Sequence, residues 1–139
     1  MRFYIATSLN NAAYASRLAE VLKARGHEHT YDWTLHGDIR REGDVRMGEV
    51  AFNELRAVRD AELVVVLLPG GRGTHTELGM AIATRSNKRI ILWSADGEEF
   101  NFDERACTFY FHPSVERLVC PFDELLVRLD KEQIGSDLR

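Results

Sequence analysis

The chain has 139 residues, 45% of them hydrophobic and 29% charged, with 18 Lys+Arg against 22 Asp+Glu and a formal charge of −4. That is one soluble globular domain with no basic stripe for a nucleic-acid polymer, and its longest apolar run, Leu63 to Pro69, is far short of the roughly 20 residues that span a bilayer. Two cysteines, Cys107 and Cys120, make neither a disulfide framework nor a four-ligand zinc site, so a cytoplasmic protein with two reduced thiols is expected.

Along the chain, strand-like and helix-like periods alternate. Phe3–Ala6 reads as a first strand and not as a targeting leader. Asn10 and Asn11 offer a helix start, Leu18, Val21 and Leu22 follow at helical spacing, and Gly26 closes the helix. His27–Tyr31 is a weak second strand, and Asp32–Asp44 a long polar loop. Met47–Asp60 has helical periodicity. Leu63–Leu68 is continuously apolar, as a strand covered on both faces should be. Pro69–Gly73 is a glycine-rich turn, and Thr74–Thr84 a helix of small residues. Arg89–Ser94 is another buried strand, Ala95–Arg105 a polar loop, and Thr108–Phe111 a short fifth strand. Phe122–Lys131 is an amphipathic last helix. The alternation predicts a single-domain three-layer α/β sandwich, with a small parallel, Rossmann- or flavodoxin-like sheet of four or five strands. The domain is expected over residues 1–132, with a frayed tail over 133–139.

In such a fold the loops after the strands gather at one end of the sheet. The loop Pro69-Gly70-Gly71-Arg72-Gly73-Thr74-His75-Thr76-Glu77 is the informative one. Its glycines let backbone approach a ligand, and the helix N-terminus behind them favours an anion. It is not a P-loop, since no Gly-Lys-Ser/Thr follows, and the first strand-to-helix turn, Thr7-Ser8-Leu9-Asn10, has no glycine for a dinucleotide fingerprint. Thr74 to Glu77 also reads as a capping box that places Glu77 in the first helical turn, where the dipole would keep its carboxylate ionised. Glu77 is therefore a cap, a nucleophile, or both.

Other candidates also carry two readings. Ser8 and Asn10 either hold a phosphate or 5′-hydroxyl, or Asn10 caps the first helix. Trp33 stacks on a base or fills the core rim, and Asp32 binds a base edge or caps a turn. His36 and His75 have no neighbours at metal-ligand spacing, and no metal is expected. Arg72 meets a phosphate or faces water, and Arg40-Arg41 reads as a solvated charge cluster.

The opening strand Phe3-Tyr4-Ile5-Ala6, the strand Ala61–Val66 and the stretch Gly73-Thr74-His75-Thr76-Glu77-Leu78-Gly79-Met80-Ala81 resemble the nucleoside 2-deoxyribosyltransferase family, including its short relatives that hydrolyse nucleoside 5′-monophosphates. The resemblance covers roughly residues 2 to 120. It implies that Glu77 attacks the anomeric carbon and that Tyr4 orients it. It gives Asn101 to a neighbour's sugar across a homodimer, and on the functional readings above Ser8, Asn10, Asp32, Trp33, Gly71, Gly73 and Thr74 are the expected substrate-binding residues. Gly71 stands where some transferases have a sugar-binding aspartate. The base-binding acid is Glu54 or Asp60. A second, local resemblance joins Pro69–Glu77 to the cytokinin-activating phosphoribohydrolases, which also break an N-glycosidic bond with a glutamate at this position. The expected activity is cleavage or transfer of the N-glycosidic bond of a small nucleoside or nucleotide, without a cofactor. The alternative is a nucleotide-sensing module that uses the same pocket without turnover. An apolar late segment, Thr108–Phe111 with Val115, Leu118 and Val119, is the expected surface of a homodimer or higher homo-oligomer.

Overall fold

The computed structural model describes residues 1–84 and 86–131. The expected tail over 133–139 lies outside the described residues. The elements are β1 (Arg2–Ala6), α1 (Ala12–Ala24), β2 (Glu28–His29), α2 (Asp44–Asp60), β3 (Leu63–Leu67), α3 (Arg72–Ala83), β4 (Arg89–Ser94), β5 (Val115–Val119) and α4 (Phe122–Lys131). Single 3-10 turns at Leu9–Asn11, Trp33–Leu35, Glu98–Phe100 and Thr108–Phe111 punctuate the loops.

The five strands form one all-parallel sheet in the order β2-β1-β3-β4-β5. Helices α1 and α4 pack together, as do α2 and α3. Every residue of β3 is buried, which is why its sequence shows no alternation. From β1 the chain moves one way to β2, then back past β1 to β3. The strand order therefore reverses between β1 and β3, and open α/β sheets take their ligands at the carboxyl ends of the strands beside such a reversal. No helix among the described residues is long and apolar enough to cross a membrane.

The sheet's ends depart from the sequence expectation. Thr108–Phe111 is not a strand: it winds into a 3-10 turn, and the fifth strand is Val115–Val119. Tyr110 explains the difference. It is buried, and its hydroxyl meets His75 Nε2 at 2.6 Å, which draws the aromatic segment in beneath α3. The edge strand β5 pairs with β4 along Val115–Val119, and its Glu116 meets Arg89 at 2.8 Å. Strand β2 is only two residues long. Beyond it, the indole N–H of Trp33 donates to Ile5 O at 2.8 Å, continuing the edge of β1 with a side chain.

Candidate functional site

The candidate site is built from β1, α2 and α3. Tyr4 points from the middle of β1 and is wholly buried. Its hydroxyl donates to Glu77 Oε2 at 2.9 Å, joining residues 73 positions apart. Glu77 is 7% exposed. Burial raises its pKa, and the nearby Glu54, by charge and by a hydrogen bond, raises it further, to about 9; the Tyr4 hydroxyl pulls the other way. Glu77 therefore keeps its proton at neutral pH beside the Glu54 carboxyl, as a buried carboxyl set against a second one does. Burial also pushes the Tyr4 phenol far above its ordinary range, with Glu77 and Glu54 adding to the effect. Tyr31, just after β2, extends the cluster: its pKa is raised by burial and by Glu54, and its hydroxyl bonds to Asn53.

Helix α3 begins two residues earlier than its sequence suggested. Its N-cap is Gly71, not Thr74, and no acidic residue lies in its first turn. The Gly71 N–H donates to Thr74 Oγ1 at 3.1 Å. Gly70 makes this possible, because a Cβ there would lie 2.4 Å from Thr74 Cγ2. The expected Thr74–Glu77 capping box is therefore overturned, and with it the dipole-ionised carboxylate. Glu77 sits one turn deeper, where burial dominates its charge state. Of the two acids left open by sequence, Glu54 lies against Glu77, whereas Asp60 ends α2 beside Arg59 at 3.2 Å.

The first strand-to-helix turn is tied to the third. Thr7 Oγ1 donates to Leu67 O at 2.7 Å, and Asn11 Nδ2 donates to Thr7 Oγ1 at 3.1 Å and to Pro69 O at 3.3 Å. Asn10 does not cap α1: the N-cap position is Asn11, and Asn10 is exposed in the 3-10 turn before it. Ser8 precedes that turn with no capping bond from its side chain. The backbone of Gly71 and Gly73 is exposed at the helix start, with Thr74 buried between them and the core.

The remaining candidates lie around this centre. Trp33 is 6% exposed, its indole held by Ile5. Asp32 Oδ1 accepts from the N–H and hydroxyl of Thr34, which makes it the cap of its own turn. Asn101 is exposed on the loop after β4. His75 donates from Nδ1 to Gly71 O at 2.7 Å, since a carbonyl can only accept, so Nε2 receives the Tyr110 hydroxyl. His75 and Tyr110 border a cleft of about 460 Å³ with Pro69, Gly70, Glu99 and Cys107, and a second cleft of about 450 Å³ reaches Tyr31 and Asn53 from the α2 side.

Sequence reasoning missed Tyr31 and Asn53. The signal was present in α2. Val50, Ala57 and Val58 mark its core-facing side, and Asn53 and Glu54 fall between them at i+3 and i+4 from Val50. Two polar residues on an otherwise apolar face point to a lined site.

No known family model matches the sequence, and no curated protein is similar to it. Among solved structures, the fold matches that of the CMP N-glycosidase BcmB of Clostridium botulinum, with a TM-score of 0.66 and 21% identity over 94% of this chain and 99% of that one. The chain therefore shares its fold, nearly end to end, with an enzyme described as a CMP N-glycosidase.

Proposed function

We propose that this protein cleaves the N-glycosidic bond of a nucleotide, with Glu77 as nucleophile. The observation that carries the reading is the Tyr4–Glu77–Glu54 cluster, in which Tyr4 and Glu77 are buried and Glu54 is half-buried, at the strand-order reversal. A buried carboxyl set against a second carboxyl costs stability, and such groups are characteristic of sites that move protons. The fold shared with a CMP N-glycosidase and the Glu77-Leu78-Gly79 resemblance support the same chemistry.

The pair supplies the inventory that glycosidic cleavage requires, namely one carboxylate to attack and one acid to protonate the leaving group. Glu77 forms the bond to C1′ as the bond from C1′ to the base nitrogen breaks. The proton held beside Glu54 goes to the departing base. Water then attacks C1′ of the glycosyl ester, releasing the sugar and returning a proton to the pair. Tyr4 fixes the position of the attacking oxygen. In the ligand-free state the proton lies mostly on Glu77. Positive charge developing at the sugar then favours the ionised Glu77 and drives the proton toward Glu54 and the base. Ser8 and the exposed backbone N–H of Gly73 take the 5′-phosphate at the start of α3, beside Gly71. Trp33 and Asp32 wall the base side, and Asn101 contacts the sugar from the loop after β4 or from a second copy.

The test is a panel of ribo- and deoxyribonucleoside 5′-monophosphates, CMP included, and the corresponding nucleosides, with liberated base followed by chromatography. Release from a monophosphate that Glu77→Gln abolishes supports the reading. Tight binding without release from any member would support the nucleotide-sensing reading, which the protonated state of Glu77 favours.

A further inference from the structure

Three carbonyls of the loop that opens α3 are held by side chains. Thr7 Oγ1 donates to Leu67 O at 2.7 Å and Asn11 Nδ2 to Pro69 O at 3.3 Å. Gly71 O accepts both the His75 backbone N–H at 3.2 Å and His75 Nδ1 at 2.7 Å. The N–H and C=O of one peptide point in opposite directions. With the Gly71 carbonyl drawn back along α3, the N–H of the same peptide, on Arg72, faces out of the helix start beside that of Gly73. The fold does not itself require glycine at 71 or 73. Neither has a positive φ, and a Cβ on either would meet nothing within 4 Å. Glycine at 73 costs the helix some stability and leaves bare backbone to whatever approaches.

The His75 side chain holds the Gly71 carbonyl only while a proton is on Nδ1. In a neutral imidazole, the nitrogen that carries the proton is set by the partner of the other nitrogen. That partner is Tyr110, whose hydroxyl meets Nε2 at 2.6 Å. Burial, with Cys107 and Glu99 nearby, raises the Tyr110 phenol to about 12, so it remains a donor at neutral pH. Tyr110 is 3% exposed and Phe100 packs edge-on against its ring, contacts that a phenylalanine would make equally well. What the hydroxyl adds is the bond to the imidazole. Without it the proton is free to move to Nε2, and two lone pairs then face each other between Nδ1 and Gly71 O.

We propose that Tyr110 and His75 are positioning residues that set the preference for a monophosphate over its nucleoside. Tyr110 fixes the imidazole tautomer, and the imidazole keeps the Gly71 carbonyl turned away from the substrate. The loop thereby offers a phosphate N–H groups without an opposing oxygen. The inference rests on the placement of the 5′-phosphate at the start of α3 in the reading above, and it is independent of how the glycosidic bond breaks. It also gives the 3-10 turn at Thr108–Phe111 a purpose, since that turn carries the hydroxyl to a residue 35 positions away.

Nitrogen NMR of the imidazole and titration with inorganic phosphate test it on the full chain, in the wild type, in Tyr110→Phe, and in Tyr110→Phe combined with His75→Asn. At about pH 8, above the ordinary imidazole range, wild-type His75 should carry its proton on Nδ1, and Tyr110→Phe should move it to Nε2 in much of the population. Phosphate should shift the Gly73 amide resonance of the wild type, and Tyr110→Phe should raise its Kd about five-fold, the loss of one neutral hydrogen bond. Asparagine places Nδ2 where the imidazole has Nδ1, and no tautomer turns that nitrogen into an acceptor. The double variant should therefore bind phosphate within about two-fold of the wild type. A merely structural tyrosine would not be rescued in this way. An Nε2-protonated His75 in the wild type would overturn the proposal. So would a wild-type Gly73 amide that stays unmoved at about 50 mM phosphate, a Tyr110→Phe that binds phosphate as the wild type does, or a double variant no better than Tyr110→Phe. Base release assayed in parallel keeps the two readings separable: phosphate binding that follows this pattern without base release removes the glycosidase alone, and base release without phosphate binding removes the positioning pair alone.

Discussion

Replacing Glu77 by Gln should stabilise the fold while abolishing its chemistry, and the stabilisation should depend on pH. The folded pKa of Glu77 lies near 9, above the ordinary carboxyl value of 4.5. A carboxyl shifted this way binds its proton more tightly when folded, so stability is fully present below pH 4.5 and is lost as pH rises toward 9. The loss proceeds at up to about 1.4 kcal/mol per pH unit, or about 3 kcal/mol by pH 7. Glutamine keeps the shape without titrating. Its amide oxygen accepts from Tyr4, and its NH₂ donates to Glu54. Allowing about 1 kcal/mol for imperfect hydrogen bonds, Glu77→Gln should be about 2 kcal/mol more stable than wild type at pH 7 and no more stable at pH 4. A cap at the third helical position would have predicted near-equal stability at every pH. Urea denaturation at half-unit pH steps, with base release assayed on the same samples, measures both effects. A stability difference that stays flat between pH 5 and 8 would refute the buried proton on Glu77. Near wild-type base release by the variant would refute the nucleophile.

Glu54→Gln removes the charge and the hydrogen bond that raise Glu77, so the pH at which wild-type stability stops falling should move down, and base release should fall by about 10²- to 10⁴-fold, the range of general-acid contributions; denaturation and single-turnover rates check each part. Tyr4→Phe leaves Glu77 Oε2 without its donor, which should cost about 1–3 kcal/mol in urea melts at pH 7 and lower kcat more than it raises KM. Ser8→Ala should raise KM for a nucleoside monophosphate and leave KM for the nucleoside unchanged, as steady-state comparison of the two substrates will show; equal effects on both would make the turn purely structural.

The strands were legible where burial is two-sided, because the unbroken apolar run of Leu63–Leu67 admits few other structures. The late strand was not. Aromatic residues at Thr108–Phe111 have strong β-propensity, but the hydrogen bond between Tyr110 and His75 overrides it, and the edge strand Val115–Val119 carries Glu116 and Arg117 in succession, which break its apolar pattern. The start of α3 was misplaced for a different reason. Thr74 is a favourable N-cap by type, yet its hydroxyl accepts from Gly71 from inside the helix, a close packing that depends on Gly70. That move of the N-cap from Thr74 to Gly71 carries Glu77 from a solvated first turn into the core and inverts its electrostatics. Tyr4 and Glu77 were each readable along the chain. Their pairing with Glu54 was not, because it depends on how α2 lies over the sheet.

The place of β1 in the sheet also governs how the chain can be made. Its only neighbour on one side, β2, pairs with Arg2 and Phe3 alone, so Tyr4, Ile5 and Ala6 find their strand partner in β3. On the ribosome, β1 emerges while Leu63–Leu67 has yet to be translated, and an apolar strand edge stays open through the synthesis of α1 and α2. The nascent protein must either keep that edge covered or risk pairing it with another chain. Yield in a cell should therefore respond to translation speed across Asp44–Asp60 and to chaperone supply, even for substitutions that leave the finished fold untouched.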